Sequence, residues 1–263
     1  MNYERLGTKF IKLAKIMERL RSKENGCPWD AVQTSETIIV NLIEESYEVI
    51  EAIIDKKYDD LGEELGDLLM QILFHARIAE EEGYFDLETV IDGITNKLVV
   101  RHPHVFGNTE VNTVEDVLVN WENIKETKEK KRDSRLSGVP KRMPALARAF
   151  RIQEKVARFG FDWRDKEGAF EKIEEEIAEL KDEMAKGSKE DKELEFGDLL
   201  FSLVNFARHT GIEPELALTK SINKFINRFK FVEQAIKQDN KDMSDMDIAH
   251  LDEYWDRAKE EIE

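Results

Sequence analysis

Two sets of acidic residues have the type and spacing needed to hold a metal ion. Glu45 and Glu48 stand three residues apart, and Glu64 and Asp67 repeat that spacing further along the chain. Residues three apart share one face of a helix, with Cβ atoms about 5–6 Å apart. The same pattern, with the same sixteen-residue step between its two pairs, recurs at Glu176, Glu179, Glu195 and Asp198.

Four carboxylates brought together repel one another unless some are protonated or a cation lies between them. All-oxygen ligands favour a hard divalent ion, Mg²⁺ with Mn²⁺ as the alternative, over zinc. Because Mg²⁺ usually keeps several waters and binds phosphate oxygens, the pattern also favours a phosphate-containing substrate. A di-iron site would require Glu-x-x-His, but Asp67 and Asp198 stand where the histidine should be. A solvated helix face is the competing interpretation of a single acidic motif, so the prediction depends on the repetition.

These acids need two neighbouring helices to position them. Apolar residues recur at i, i+3 and i+4 along most of the chain, which predicts an all-α protein. The acidic pairs fall on predicted helices near 35–55 and 61–82, and again near 166–186 and 193–209. A short turn joins the two helices of each copy, so they must be antiparallel neighbours whose carboxylates converge.

The chain carries an internal duplication. With a shift of 131 residues, eleven of 36 positions are identical between 42–77 and 173–208, including the acids of both motifs. We therefore predict two tandem α-helical bundle domains, residues 1–126 and 141–263. The stretch between them, 127–140, is charged and nearly free of large apolar residues, which predicts a linker.

A glycine separates the two acids of the second helix in both copies, at Gly66 and Gly197. Glycine inside a helix costs about 1 kcal/mol relative to alanine. Its missing side chain would let a ligand or another helix approach closely. A tight helix crossing without any contact to substrate is the alternative, and both interpretations stand.

The charge of the chain narrows the class of its partners. The 263 residues include 57 acidic and 40 basic ones, a net charge of −17, which disfavours nucleic acid and anionic membranes. No apolar run approaches the roughly 20 residues that a membrane span requires. A single cysteine, Cys27, excludes an intrachain disulfide and indicates a reducing compartment. The charged start of the sequence does not resemble a signal peptide, so we expect a cytoplasmic protein.

The acidic motifs occur together with "GCPWD" at 26–30 and "RHPHVF" at 101–106. This combination resembles the MazG-type nucleoside triphosphate pyrophosphohydrolases over essentially the whole chain. The acidic pattern alone is shared with the wider all-α NTP pyrophosphohydrolase superfamily. The resemblance implies tandem domains of that fold, a homodimer, and Mg²⁺-dependent hydrolysis of nucleoside triphosphates to the monophosphate and diphosphate. It also implies broad base specificity and a C-terminal domain that is the more active one.

The resemblance assigns roles to residues of the C-terminal domain. It implies that the metal is held for catalysis by Glu176, Glu179, Glu195 and Asp198. It implies triphosphate contacts at Lys172, Lys224 and Arg228, and base stacking on Trp255. Where the family has a lysine four residues before the glutamate of the second motif, this chain has Asp191, with Lys192 beside it.

The N-terminal domain repeats only part of this set. Lys97, Arg101 and Trp121 correspond to the phosphate and base contacts, but Asn41 stands in place of Lys172. We therefore expect the N-terminal site, with Glu45, Glu48, Glu64 and Asp67 as its metal ligands, to handle triphosphate poorly. Burial in the core is the competing interpretation of both tryptophans.

Two further residue sets have a chemical and a structural interpretation. Glu175, beside Glu176, could orient or deprotonate the attacking water, and a place on the helix surface is its alternative. His102 and His104 flank Pro103 and suggest a metal site, but no third ligand stands at a suitable spacing. Capping or packing is therefore expected for these histidines.

Two classes of function remain for the whole chain. An enzyme of the family named above would release diphosphate from several nucleoside triphosphates and would require Mg²⁺. The alternative is a non-catalytic helical protein whose duplicated acidic faces bind a metal or a basic partner. Such a protein would release no diphosphate.

Overall fold

The computed structural model describes residues 1–114, 116–117, 120–121, 124 and 134–262, and every regular element within them is a helix. The predicted all-α class is therefore confirmed. The chain divides into two compact units, Met1–Lys131 and Arg132–Glu263. Of the linker predicted at 127–140, residues 127–133 lie outside the described residues. The boundaries of the linker therefore stay a prediction. No helix in the described ranges is long and apolar enough to cross a bilayer.

Unit 1 is built around a pair of antiparallel helices. Its fully described helices are α1 (Tyr3–Leu20), α2 (Pro28–Val32), α3 (Ile39–Ile54), α4 (Tyr58–Glu81), α5 (Leu87–Arg101) and α6 (Pro103–Phe106). The turn between α3 and α4 is tight because Lys56 adopts a left-handed conformation with φ 57°. Helices α1 and α5 pack against α4. The core of this unit is formed by Met17, Ile38, Leu73, Phe74 and Ile78.

Unit 2 repeats the helix pair within its own set of helices. They are α7 (Ala145–Ala157), α8 (Lys166–Lys186), α9 (Lys189–His209), α10 (Pro214–Gln238) and α11 (Ile248–Glu261). Helix α8 packs along α9, α7 packs on α9 and α10, and α11 packs on α10. The last contact buries Val232, Ala235, Ile236, Tyr254 and Ala258.

A buried arginine ties the segment at 26–30 to the long helix α4. The Arg21 guanidinium donates to both carboxylate oxygens of Glu81, with Nη2 to Oε2 at 2.7 Å, and to the carbonyl oxygens of Asp30 and Gln33. Its side chain is only 4% exposed. A Cβ at Gly26 would lie 2.4 Å from two carbonyl oxygens of the preceding turn, so this position requires glycine. The segment is thus fixed by backbone packing and by one charged side chain.

Helix α9 begins with a capping box. The Ser188 hydroxyl accepts from the Asp191 N–H, and the Asp191 carboxylate accepts from the Ser188 N–H at 2.9 Å. The serine hydroxyl and N–H together hold the pKa of Asp191 below its usual value. Asp191, which replaces the lysine of the family, therefore stabilises the helix that carries Glu195.

Candidate functional site

Three carboxylates converge in each unit at the same place on the helix pair. In unit 1, between α3 and α4, each of Glu45, Glu48 and Glu64 places an oxygen within 4.8 Å of the others. In unit 2, between α8 and α9, the three are Glu176, Glu179 and Glu195. The i, i+3 spacing and the short turns thus bring together three of the four predicted acids in each copy.

The fourth predicted acid lies beside each cluster. Asp67 and Asp198 are outside the 4.8 Å groups found among the described residues. Each still acts on a cluster member, since the Asp67 charge raises the pKa of Glu45 and the Asp198 charge raises that of Glu195. Asp67 is half-buried and Asp198 is exposed.

Crowding and burial hold several of these carboxyls toward the protonated form. Burial is the largest cause of the raised pKa of Glu45, and the charges of Asp67 and Glu48 add to it. Glu64 has a raised pKa for the same reasons, with Glu48 as its strongest charged neighbour. In unit 2 the pKa of Glu195 is raised first by burial and then by Glu179. A cation would relieve this repulsion in both units.

The two clusters differ in one neighbour. In unit 2 the Lys172 Nζ lies 2.7 Å from Oε1 of Glu176 and 2.9 Å from Oε1 of Glu175. Hydrogen bonds to Glu176 and then to Glu175 raise the pKa of Lys172. Asn41 stands at the corresponding position in unit 1. Lys172, predicted to contact triphosphate, is thus bound here to the acids, a contact that its i, i+4 spacing from Glu176 could have indicated.

The surroundings of the two helix glycines exclude one form of the helix-crossing interpretation. A Cβ built on Gly66 or on Gly197 would meet no atom of the described chain within 4 Å. A tight crossing with another helix of the same unit is therefore not the reason for either glycine. The space beside each one is open to a ligand or to another chain.

The predicted nucleotide contacts of unit 2 lie on helices α9, α10 and α11. Lys224 is exposed on α10, and Lys192 is half-buried on α9. The Arg228 Nε donates to the carbonyl oxygen of Ile262 at 3.1 Å. Trp255 is half-buried at the edge of the core, with its ring centroid 5.0 Å from that of Phe225.

The corresponding residues of unit 1 form a stack. The Arg101 guanidinium carbon lies 5.2 Å from the centroid of the Trp121 ring, and the His102 ring meets the same indole edge-on at 4.8 Å. The His102 Nδ1 lies 2.7 Å from the carbonyl oxygen of Leu98. Lys97 is exposed on α5. His102 therefore packs on the tryptophan and satisfies a carbonyl near the end of α5, which agrees with the packing interpretation.

The ligand chemistry of both clusters fits a hard divalent ion. Within the part of the chain that the structure describes, neither cluster includes a histidine or a cysteine. His75 and His209 lie elsewhere, against Ser35 and Asp162 respectively. The donors are carboxylate oxygens alone, which suits Mg²⁺ or Mn²⁺ and not a di-iron centre.

The chain was compared with known proteins. A family model described as "MazG nucleotide pyrophosphohydrolase domain" matches it twice, at 33–106 and 164–232. A Thermotoga maritima protein named nucleoside triphosphate pyrophosphohydrolase/pyrophosphatase MazG is 49% identical over 254 residues, 96% of each chain. The nucleoside triphosphate pyrophosphohydrolase of Escherichia coli is 43% identical over 252 residues, 94% of this chain and 96% of that protein. The crystal structure of a mazG-related protein from Thermotoga maritima aligns with 44% of this chain and 97% of its own, at 32% identity and a TM-score of 0.38. Both segments matched by the family model contain a helix pair with its three converging carboxylates.

Proposed function

The chain belongs to the MazG nucleotide pyrophosphohydrolase family, and on that premise we propose that it hydrolyses nucleoside triphosphates to the monophosphate and diphosphate. The observation that carries this proposal is the pair of all-carboxylate clusters, each held between two antiparallel helices. Relatives that match nearly the whole chain are named for this activity. The enzyme is thus a nucleoside triphosphate diphosphatase that acts on the α–β phosphoanhydride bond.

The carboxylates of unit 2 are proposed to hold Mg²⁺, with Mn²⁺ as an alternative. The converging oxygens come from Glu176, Glu179 and Glu195. Asp198 lies close enough for its charge to raise the pKa of Glu195. A divalent ion held there would neutralise the negative charge that develops on the phosphates as the bond to the leaving diphosphate breaks. Glu175 is the proposed residue that orients or deprotonates the attacking water, because it adjoins the cluster and is exposed.

Basic and aromatic residues of unit 2 are proposed to hold the nucleotide. Lys224 and Arg228 stand one turn apart on α10 and suit the β- and γ-phosphates. Lys172 adds positive charge beside the acids, and Lys192 precedes Glu195 by three residues on α9. Trp255 keeps part of its ring exposed and is the proposed stacking surface for the base. Stacking tolerates every base because each has a π face, which supports broad base specificity.

Unit 1 is proposed to be the less active half. Its cluster matches that of unit 2 in geometry, but it has Asn41 where unit 2 has Lys172. Its remaining nucleotide candidates are Lys97 on α5 and the stacked pair Arg101 and Trp121. Metal binding without efficient triphosphate hydrolysis is the expected behaviour.

A homodimer is the proposed assembly. Large apolar side chains are exposed on the helices that carry the clusters and on α10, among them Ile43, Leu65, Ile72, Phe196, Leu200, Phe225 and Ile226. Interfaces of obligate dimers are rich in apolar side chains of this kind. The free thiol of Cys27 and the acidic charge support a cytoplasmic enzyme that does not bind nucleic acid or membranes.

The proposal is tested by measuring diphosphate release from a panel of nucleoside triphosphates, with and without Mg²⁺, in a pyrophosphatase-coupled assay. Glu195→Gln should lower kcat/KM by at least about 100-fold, because the amide has no negative charge and replaces one carboxylate oxygen with an NH2 group. Glu193→Gln is the matched control, since Glu193 is exposed on the same helix and pairs with Lys189 at 3.6 Å, outside the cluster. Glu64→Gln should leave most of the activity, because unit 2 supplies it.

Two results would contradict the proposal in different ways. Full activity in the Glu195→Gln protein would show that the site is assigned to the wrong residues. If no triphosphate yields diphosphate, the enzyme proposal is wrong, and the non-catalytic metal- or partner-binding protein becomes the better interpretation.

A further inference from the structure

The acidic cluster of unit 2 already contains a cation, and that cation belongs to the protein. The Lys172 Nζ lies 2.7 Å from Glu176 and 2.9 Å from Glu175. Glu176 is also one of the three carboxylates whose oxygens lie within 4.8 Å of one another. The ammonium of Lys172 is therefore paired with a carboxylate that is proposed to hold the metal.

This ion pair differs from the two exposed lysine pairs of the same helical spacing in unit 2. The Glu176 side chain is 7% exposed, whereas both members of the pairs Lys186–Asp182 and Lys189–Glu193 are more than half exposed. Exposed pairs of that kind contribute little to stability because water competes for both charges. A carboxylate as buried as that of Glu176 requires a positive partner, and Lys172 provides it.

Unit 1 shows what the cluster is like without the lysine. Glu45 corresponds to Glu176, and Asn41 corresponds to Lys172, so the amide offers no positive charge to the acids. The duplication thus places two clusters of the same geometry in one chain, with and without an internal ammonium. Glu45 is half-buried where Glu176 is buried, and the helix pair of unit 1 forms without a lysine at this position.

We propose that Lys172 couples metal binding to nucleotide binding in unit 2. When no metal is bound, the ammonium neutralises part of the negative charge of the cluster. When a divalent ion binds the carboxylate of Glu176, the ammonium leaves that carboxylate and binds the triphosphate. This inference rests on the proposed function, because it requires that the cluster bind a metal and that the substrate carry phosphates. A free metal ion that takes Glu176 leaves the ammonium with Glu175 alone, whereas a metal that arrives with triphosphate gives the displaced ammonium a second anionic partner.

Two consequences follow for binding. The lysine weakens the affinity of unit 2 for a metal ion alone. It also increases the factor by which bound nucleotide raises the affinity for the metal, and by linkage bound metal raises the affinity for the nucleotide by the same factor. Unit 1 has no such coupling from this position, so it binds the free ion without the competing ammonium. The two units would then respond to different species, unit 1 to the free divalent ion and unit 2 to its nucleotide complex.

The test measures Mn²⁺ binding to the full chain by electron paramagnetic resonance, without nucleotide and with an α,β-methylene triphosphate that is not hydrolysed. Glu64→Gln is present throughout so that the signal reports unit 2. Lys172→Met should bind Mn²⁺ alone about tenfold more tightly, because one charge-assisted hydrogen bond no longer competes. The enhancement of Mn²⁺ binding by the analogue should fall by a similar factor. Lys181→Met, an exposed lysine on the same helix, is the matched control and should change neither quantity.

The reverse substitution provides a second, independent measurement. Asn41→Lys, in a chain whose unit 2 carries Glu195→Gln, should weaken binding of Mn²⁺ alone to unit 1 by about tenfold. This variant is informative even if Lys172→Met fails to fold around its unpaired glutamate.

The outcomes separate this inference from the proposed function. If the parent protein binds Mn²⁺ in unit 2 and releases diphosphate, but Lys172→Met binds the ion no more tightly, the coupling is wrong and the enzyme proposal stands. Asn41→Lys with unchanged Mn²⁺ affinity would likewise overturn the coupling. A parent protein whose unit 2 binds no Mn²⁺ would overturn the proposed metal site itself.

Discussion

Replacing Gly197 by alanine separates what the folded unit needs from what the site needs. The glycine lies inside α9, where alanine is the better helix former by about 1 kcal/mol. A Cβ there would meet no atom of the described chain within 4 Å. The unfolding free energy of unit 2 should therefore rise by about 1 kcal/mol, because the substitution adds helix propensity without a clash.

The same methyl group should impair function if the open space is used. Gly197 lies between Glu195 and Asp198, so a bound substrate or a partner helix would meet the added atom. Overfilling a packed space costs about 1–3 kcal/mol, which corresponds to about a 5- to 150-fold loss in kcat/KM. Gly7→Ala in α1 is the control, since that glycine also lies in a helix with nothing within 4 Å and is remote in sequence from either cluster.

Three measurements on each variant make the result decisive. Urea unfolding gives the stability, the coupled assay gives kcat/KM, and sedimentation velocity gives the dimer affinity. A loss of activity with an intact dimer would place substrate beside the glycine, and a weakened dimer would place another chain there. A Gly197→Ala protein that gains stability while keeping its activity and its dimer would refute the reasoning, because nothing would then occupy the space.

Two further predictions concern unit 1. Arg21→Lys should destabilise unit 1 by about 3 kcal/mol, because a lysine cannot bridge Glu81 and two backbone carbonyls from a site that is 4% exposed. Arg77 also pairs with Glu81, but its side chain is partly exposed. Arg77→Lys should therefore cost less than about 1 kcal/mol. Hydrogen exchange in the helices of unit 1 checks the difference, and equal effects would contradict it. In EDTA, the raised pKa values of Glu45 and Glu64 mean that the folded state binds protons which the unfolded chain releases. The stability of unit 1 should therefore rise as the pH falls from neutrality through those raised values toward 4.5, the usual value for glutamate. Glu64→Gln should flatten this dependence in urea titrations, and an unchanged slope would show that the cluster is not its source.

Periodicity within the sequence determined the helices well where their ends depend on local signals. The predicted helix at 166–186 agrees with α8 at both ends, where the Asp165 side chain accepts from the Gly168 N–H and Gly187 follows the last residue. Helix α9 begins at Lys189, four residues before the predicted start. The Ser188 capping box stabilises a first turn of polar residues, and apolar periodicity alone does not reveal such a turn. Helix α3 begins later than predicted, since Thr34 and Thr37 bond to each other's backbone and form a separate turn.

The sequence by itself determined that the protein is all-α, that it is duplicated, and that acids of each copy converge, although it predicted four acids where the structure brings three within 4.8 Å. Those conclusions depend on helical spacing and on a short turn, and both are properties of neighbouring residues. Only the tertiary structure decided that Arg21 reaches Glu81 across 60 positions and that no helix of its own unit crowds Gly197. Contacts of this kind depend on the burial and orientation of whole helices, and the spacing of residues along the chain does not encode them.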